Sequence, residues 1–119
     1  MKTSLVSDEE NNNGNVIEIL ETPTFGKWFA KLKVQDKVTH FKITERLLRL
    51  ANGHYGDRKT IRGYENLFEL RIFGQAYRIY FTHQSDVIVL LLVGGDKSTQ
   101  ERDIVKARKL AKEWEKNNG

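Results

Sequence analysis

Two arginines, Arg71 and Arg78, are the residues whose type and spacing most suggest chemistry in this 119-residue sequence. Each lies in a segment, 68–72 or 77–81, where apolar and polar residues alternate with the two-residue period of a β-strand. Gly74-Gln75 between the segments predicts a type II′ turn, because glycine suits its first central position. This hairpin register places Arg71 directly opposite Arg78 on an exposed, polar sheet face.

The opposed arginines have two possible explanations. Like charges directly opposite each other destabilise a hairpin. The pair therefore makes sense if an anion lies between the guanidiniums, since arginine binds phosphate through two parallel hydrogen bonds. Alternatively, Glu69 on the same face bridges both guanidiniums as a structural ion-pair network. Tyr80, also on that face, could stack on a nucleobase or donate a proton, or it is only a well-placed strand aromatic.

A second cationic candidate is Lys97. It follows the apolar run Val87–Val93, which predicts a central strand covered on both faces. The segment 98–101 (Ser-Thr-Gln-Glu) fits a capping box at a helix start, where backbone N–H groups and Lys97 could together hold a phosphate. Alternatively, Asp96 and Lys97 are only loop charges. Gly94-Gly95 matches no phosphate-binding motif.

Composition excludes several kinds of site. The sequence has no cysteine, which excludes a disulfide scaffold, a thiolate zinc site and a cysteine nucleophile. The three histidines, His40, His54 and His83, lack metal-ligand spacing and are interpreted as surface residues. We therefore expect neither a metal nor a cofactor. No apolar run approaches the roughly 20 residues of a membrane helix, and no signal-peptide core is present, so we expect a cytoplasmic protein without a membrane partner.

The net charge of +4 is unevenly distributed. Residues 1–26 hold one lysine and five acidic residues, −4 in all, so residues 27–119 carry +8. The acidic, Asn-rich start predicts a disordered leader over residues 1–15, followed by a single domain over residues 16–116. A basic domain favours a polyanion or an acidic protein as partner, or it merely keeps the chain in solution.

The remaining pattern predicts the elements that position these residues. A first strand begins at Val16 and ends before Thr22-Pro23. A helical hairpin follows, its second helix running from about Gln35 to Ala51, and a third helix lies at the C-terminus. Apolar stripes mark the three helices: Phe25, Trp28, Phe29 and Leu32; then Val38, Phe41, Glu45 and Leu48, widened by Leu47 and Leu50; then Ile104, Ala107, Ala111 and Trp114.

The element order β, α, α, β, β, β, α predicts an α+β fold, an antiparallel sheet with helices on one face. The hairpin carries seven basic and two acidic residues from Lys27 to Arg49. It is therefore a candidate docking face for phosphates or acidic side chains, or an ordinary solvated face.

An ordered series of segments resembles a known family. The segments are Phe25–Lys33, Arg49–Lys59, Phe68–Ile72, Tyr77–Phe81, Leu90–Lys97 and Gln100–Ile104. The series resembles the HigB-like addiction-module killer proteins of the RelE/ParE toxin superfamily, and the resemblance covers nearly all of the chain from Val16 to Trp114. It implies a RelE-like fold, in which an N-terminal helical hairpin packs on a twisted antiparallel sheet with a C-terminal helix added.

The resemblance also implies a function. Such proteins are toxins neutralised by a cognate antitoxin, in this branch typically a small helix-turn-helix protein. The better-known members cleave mRNA on the ribosome without a metal, by attack of the 2′-hydroxyl on the adjacent phosphodiester. This chemistry needs a base for the hydroxyl proton, cations for the developing charge and an acid for the leaving oxygen.

Three site residues carried over from the resemblance, Arg78, Arg71 and Lys97, coincide with those that the pattern singles out. The expected catalytic residues are Arg78, Arg71, Lys97 and Glu69. The expected RNA-binding residues are Lys59, Tyr80, Asp103, Lys31, Lys37 and Arg46. Glu69 departs from the family, because ribonuclease members similar to RelE have a lysine there, and Asp103 lies roughly where those members have a tyrosine. The chain also lacks the C-terminal histidine of HigB-type enzymes.

Two other functions fit the same resemblance. A ParE-like inhibitor of DNA gyrase would share the fold and act by binding alone, although it has less reason to bear the cost of two opposed arginines. A non-toxic module that binds RNA or a partner would explain Glu69 and the absent histidine.

Overall fold

A computed structural model of the chain describes residues 2–3, 16–72, 74 and 76–118. Its ten elements in chain order are β1 (Lys2–Thr3), β2 (Glu18–Glu21), α1 (Pro23–Gln35), α2 (Lys37–Ala51), β3 (Arg58–Thr60), β4 (Phe68–Ile72), β5 (Tyr77–Ser85), β6 (Ile88–Asp96), a 3₁₀ turn (Lys97–Thr99) and α3 (Gln100–Asn118). The predicted α+β class is confirmed.

The sheet has the strand order β1-β2-β6-β5-β4-β3. All neighbouring strands are antiparallel except β2 and β6, which pair in parallel with Glu18 opposite Ile88. The prediction of a purely antiparallel sheet is therefore wrong. Between β2 and its parallel neighbour β6 the chain passes through α1, α2 and three other strands. The two strands are therefore joined by a crossover connection and not by a hairpin.

The predicted disordered leader is wrong at residues 2–3. Lys2 and Thr3 form a strand that pairs antiparallel with β2, opposite Leu20 and Ile19. The rest of that prediction, residues 1 and 4–15, falls outside the described residues. The segment 58–60 forms the edge strand β3, an element that the predicted order does not include.

The β4–β5 hairpin has the predicted register. Phe68 lies opposite Phe81, Arg71 opposite Arg78 and Ile72 opposite Tyr77. Gly74 has a φ of 65°, the left-handed conformation that the first central residue of a type II′ turn adopts and that glycine accepts at no steric cost. The turn thus fixes which side chains of the two strands face each other.

The central strand β6 is covered on both faces, as its uninterrupted apolar sequence predicts. Val89 and Leu91 belong to a core cluster with residues of α1 and α2. Leu90 and Leu92 belong to a second cluster, against which the apolar side of α3 packs. The helices therefore lie on both faces of the sheet, and the prediction that they share one face is wrong.

Most of the predicted apolar stripe of α2 points away from the core, whereas Leu47 and Leu50, which widen it, are buried as predicted. The buried side chains of α2 are Thr39, Ile43, Leu47, Leu50 and Ala51. Val38, Phe41 and Leu48 are 64%, 60% and 41% exposed. Both sets recur with helical spacing, so periodicity alone does not decide which one faces the sheet.

The start of the third helix also differs from the prediction. The segment 98–101 does not form a capping box; instead the side chain of Asp96 accepts a hydrogen bond from the backbone N–H of Ser98 and caps the 3₁₀ turn. The predicted stripe of α3 is confirmed, because Ile104, Ala107 and Trp114 all belong to or pack against the second cluster. No helix among the described residues is long and apolar enough to cross a membrane.

Gly94 and Gly95 let the two helical layers approach β6. A Cβ atom at Gly94 would collide with the indole ring of Trp28 on α1, and one at Gly95 would collide with the carboxylate of Asp103 on α3. The two glycines are thus required by packing, one for each face of the sheet.

Gly94→Ala should lower the free energy of unfolding by about 1–3 kcal/mol, because the indole has to move out of a packed core. Gly26→Ala is the matched control, because its Cβ would meet only the flexible end of Glu21 and alanine is favoured in a helix. Urea denaturation measures both. Equal stability of Gly94→Ala and the wild type would show that the glycine is not required by packing.

Candidate functional site

A buried polar cluster lies between the β4–β5 hairpin and the start of α3. Arg78, Tyr80 and Glu69 project from the hairpin face that α3 covers, and they are only 4%, 0% and 2% exposed. The side chain of Gln100 in the first turn of α3 donates a hydrogen bond of 2.9 Å to Glu69 Oε1. The expectation that this sheet face is exposed is therefore wrong.

Glu69 lies between the two opposed arginines. Its Oε2 atom is 3.4 Å from Nε of Arg78 and 3.9 Å from Nε of Arg71. Arg71 also pairs with Oδ1 of Asp57 at 2.8 Å. Of the two explanations that the sequence allows, the structure therefore forms the ion-pair network, in which two carboxylates offset the repulsion between the guanidiniums.

The network does not satisfy every polar atom of the cluster. Nε and Nη1 of Arg78 and the hydroxyl of Tyr80 are buried and have no hydrogen-bond partner among the described residues. Nε of Arg78 is close to Glu69, yet too poorly aligned for a hydrogen bond. A buried donor without a partner typically costs about 1–3 kcal/mol. The cluster thus keeps unused donors that an anion, such as a phosphate, could accept.

Tyr80 is held in its protonated form. Burial, together with the negative charge of Glu69, raises the pKa of the Tyr80 phenol well above its ordinary value. The phenol therefore donates a hydrogen bond or a proton, and it does not act as a phenolate base.

Asp103 closes the cluster on the α3 side. It is 8% exposed, and its Oδ2 atom accepts a hydrogen bond of 2.5 Å from Thr99 Oγ1 directly above Gly95. This position gives Asp103 a structural contact at the start of the helix. The expectation that Asp103 touches RNA stays a prediction.

Four other predicted site residues are exposed and lie outside the buried cluster. Lys59 on β3 lies directly opposite Glu69 on β4 and is exposed. Lys97 is exposed at the end of β6, in the 3₁₀ turn. Lys31 and Lys37 are exposed on α1 and α2, the layer on the opposite face of the sheet from α3.

Arg46, which the sequence suggests for RNA binding, holds a loop instead. Its guanidinium donates hydrogen bonds to the backbone carbonyls of Tyr55 at 2.6 Å and Arg71 at 3.0 Å. Burial lowers the pKa of Arg46, and a Cβ at Gly56 would collide with the guanidinium. Arg46 therefore fixes the loop that carries Asp57, the partner of Arg71.

Two of the three histidines are not simple surface residues. His40 stacks on Phe29 with the ring centroids 4.1 Å apart. His83 packs against Phe68 and Phe81, and burial lowers the pKa of both histidines. Only His54 has the exposed position that the sequence suggests.

Sequence reasoning missed Asp57 and Gln100 as members of the cluster. Asp57 is separated from Arg71 by 14 positions, and nothing in its own segment predicts the contact. Gln100 lies within the predicted capping box, a motif that predicts contacts only between residues close in sequence. Both contacts depend on tertiary packing, namely the folding of the loop onto β4 and of α3 onto the sheet.

A comparison with protein families identifies the chain. Residues 27–113 match the family model described as "Phage derived protein Gp49-like (DUF891)". The chain belongs to the Gp49-like family. A relative in Haemophilus influenzae, described as an uncharacterized protein, is 47% identical over 98 residues, which are 82% of this chain and 95% of the relative.

Solved structures show that the Gp49-like fold resembles that of YoeB. The YoeB dimer from Staphylococcus aureus matches with a TM-score of 0.54 and 15% identity, covering 67% of this chain and 94% of that chain. RelE in the RelB-RelE antitoxin-toxin complex from Methanococcus jannaschii has a TM-score of 0.45 and 19% identity, covering 70% and 95%. The second TM-score is too low to indicate a shared fold. The HigB-like branch of the superfamily stays a prediction.

Glu69→Ala should destabilise this Gp49-like protein by about 3–5 kcal/mol, because it leaves the buried guanidinium of Arg78 without its counter-charge. Asp57→Asn is the control: it removes the other carboxylate of Arg71, which is 48% exposed, and an exposed pair contributes about 1 kcal/mol or less. Chemical denaturation measures both variants. Similar losses in the two would mean that Glu69 does not hold the cluster together.

The raised pKa of Tyr80 predicts a dependence of stability on alkaline pH. Since the folded-state pKa lies above the unfolded value of about 10, the protonated phenol contributes stability that is fully present below that pH and is lost above it. The free energy of unfolding of the wild type should therefore fall more steeply above about pH 10 than that of Tyr80→Phe. Parallel pH profiles of the two proteins would contradict this environment for Tyr80.

Proposed function

We propose that this Gp49-like protein is the toxin of a toxin–antitoxin pair and that it acts in the cytoplasm as an mRNA endonuclease on translated messages. The observation that carries the proposal is the buried guanidinium of Arg78, which has two nitrogen atoms without a hydrogen-bond partner beside the equally unpartnered hydroxyl of Tyr80. Donors left unused in a buried position are uncommon in folded proteins and call for an explanation. A phosphate that enters the cluster would supply it.

The proposed reaction needs no group outside the cluster and its RNA. The 2′-hydroxyl of the substrate attacks the adjacent phosphorus, a 2′,3′-cyclic phosphate forms, and the 5′-oxygen of the next nucleotide leaves. Arg78 stabilises the charge that develops on the phosphoryl oxygens. We assign Glu69 the role of the base that takes the proton of the 2′-hydroxyl, and Tyr80, which is held protonated, the role of the acid that protonates the leaving oxygen.

The exposure of the two arginines indicates the order in which a phosphate would meet them. The side chain of Arg71 is 21% exposed, whereas that of Arg78 is 5% exposed. The phosphate would meet Arg71 first and reach Arg78 when the hydrogen bond between Gln100 and Glu69 opens. Lys59 and Lys97, both exposed, would contact the flanking phosphates of the RNA.

The cognate antitoxin enters the proposal through the sequence resemblance, which in this branch of toxins implies a small helix-turn-helix protein. Dependence on the ribosome rests on the resemblance alone.

The first test is expression of the chain from a tightly controlled promoter in a bacterial host, followed by mapping of RNA 5′ ends. Growth arrest with new cuts inside translated codons is expected. Arg78→Lys keeps the positive charge but loses the planar set of donors, and it should reduce cleavage by about 10²–10³-fold. Arg62→Ala, which removes an exposed arginine between β3 and β4, should cleave like the wild type.

Two further measurements complete this test. Circular dichroism of Arg78→Lys establishes that the variant is folded. Tyr80→Phe removes only the hydroxyl and should also slow cleavage if that hydroxyl donates the proton. Growth arrest with DNA damage but without RNA cuts would contradict the nuclease and favour a gyrase inhibitor. Normal growth at full expression would contradict the proposal that the protein is a toxin.

A further inference from the structure

An apolar surface lies on the outer side of the helical hairpin, away from the cluster of Glu69 and Arg78. We call it the α2 stripe: Val34 at the end of α1 and Val38, Phe41 and Leu48 on α2. These side chains are 80%, 64%, 60% and 41% exposed. Among the residues that the structure describes, six large apolar side chains are exposed, and four of them form this stripe.

The spacing of the α2 stripe matches a helix surface. Val38, Phe41 and Leu48 follow one another at intervals of three and seven residues, so they lie along one side of α2. From Val38 to Leu48 they cover about 15 Å, roughly three helical turns, and Val34 lies at the end of α1, just before α2 begins. Contiguous exposed apolar side chains of this kind mark interaction sites more often than single ones do.

Basic side chains border the α2 stripe on both sides. Lys37 lies along one edge, and Lys42 and Arg49 lie along the other, all three exposed. Glu45 lies within the stripe and is half-buried, one turn before Arg49, a spacing at which opposite charges attract. The surface is thus apolar along its middle and positive at its edges.

We propose that the α2 stripe is the docking site for an amphipathic helix of a partner protein, whose apolar side lies on the stripe and whose flanking residues are acidic. Such an arrangement is the usual way in which one helix binds another across a surface. The acidic flanks would meet Lys37, Lys42 and Arg49. The proposal does not depend on the nuclease activity, because the stripe and the arginine cluster lie on opposite faces of the sheet.

Other occupants fit the α2 stripe less well. A second copy of the chain would bring Lys37, Lys42 and Arg49 against the same positive charges. Single-stranded RNA would use the lysines and could stack on Phe41. It would gain nothing from Val34, Val38 and Leu48, which are aliphatic and offer no ring for a base to stack on.

The test uses the full chain and a synthetic helical peptide of about 18 residues, with leucines along one side and glutamates on both flanks. Binding is measured by titration calorimetry and mapped by amide chemical shifts. We expect a Kd in the micromolar range, of order 10–100 μM, with shifts centred on Val38, Phe41 and Leu48. The affinity should fall as salt rises.

Matched variants separate the contributions of apolar and charged side chains. Phe41→Ser should weaken binding at least about tenfold, whereas Val105→Ser, at an equally exposed apolar residue of α3, should leave it unchanged. Lys42→Glu should weaken binding of the acidic peptide, and Lys109→Glu on α3 should not. Because Phe41 and Lys42 are exposed, both variants should keep the melting temperature of the wild type, which circular dichroism checks.

Four outcomes would overturn the proposal. The first is no binding at about 1 mM peptide, which is too weak for a specific helix contact. The second is equal binding of the wild type and Phe41→Ser. A dimer in sedimentation that Phe41→Ser abolishes would assign the stripe to a second copy. Binding of a single-stranded RNA oligonucleotide that Phe41→Ser weakens, in the absence of peptide binding, would assign it to RNA.

Discussion

The carboxylate of Glu69 is the interaction on which the arrangement around it depends. It faces Arg78 and Arg71 on the hairpin and accepts a hydrogen bond from Gln100 on α3. Without a negative charge at this point, two guanidiniums would oppose each other across β4 and β5, one of them buried, and the repulsion would not be offset. One side chain therefore joins three elements and makes possible a hairpin that its own sequence would otherwise disfavour.

The carboxylate of Glu69 also competes with an anion for the guanidinium of Arg78. In the structure Arg78 is paired with Glu69 and covered by α3, and yet two of its nitrogen atoms have no hydrogen-bond partner among the described residues. The pairing keeps the guanidinium in place, and the unused donors give it a reason to accept a phosphate. The structure favours the ion-pair network over an anion between the arginines. Because carboxylates offset the repulsion between the two arginines, their pairing is equally compatible with a protein that acts by binding alone. The proposal of a nuclease therefore depends on the unpartnered donors of Arg78 and Tyr80.

The sequence predicts best where a local rule decides the outcome. The glycine at the turn fixes the β4–β5 register, which is why Arg71 and Arg78 were expected to face each other. The unbroken apolar run of β6 predicts burial on both faces. Both features depend on residues that are neighbours in sequence or pair across a two-residue turn.

The failures occur where tertiary packing decides. Two sets of α2 residues have helical spacing, and only contact with the sheet selects Ile43 and Leu47 over Val38 and Phe41. The parallel pairing of β2 with β6 joins strands separated by two helices and three strands. Asp57 and Gln100 reach the arginine cluster only because a loop folds onto β4 and α3 folds onto the sheet. The predicted stripe of α2 nevertheless contained three of the four residues that form the α2 stripe, Val38, Phe41 and Leu48.

The two surfaces of the protein lie on opposite faces of one sheet, and β6 connects them. Trp28 packs against Gly94 on the side of α1, and Asp103 packs against Gly95 on the side of α3. A partner helix on the α2 stripe would leave the cluster of Glu69 and Arg78 uncovered, so it could not block RNA by direct contact. It could act on that cluster only by shifting α1 against β6, and because Trp28 and Asp103 fill the spaces at Gly94 and Gly95, such a shift would have to move β6 and Asp103 as well. The proposed docking and the proposed catalysis therefore occupy separate surfaces of this fold.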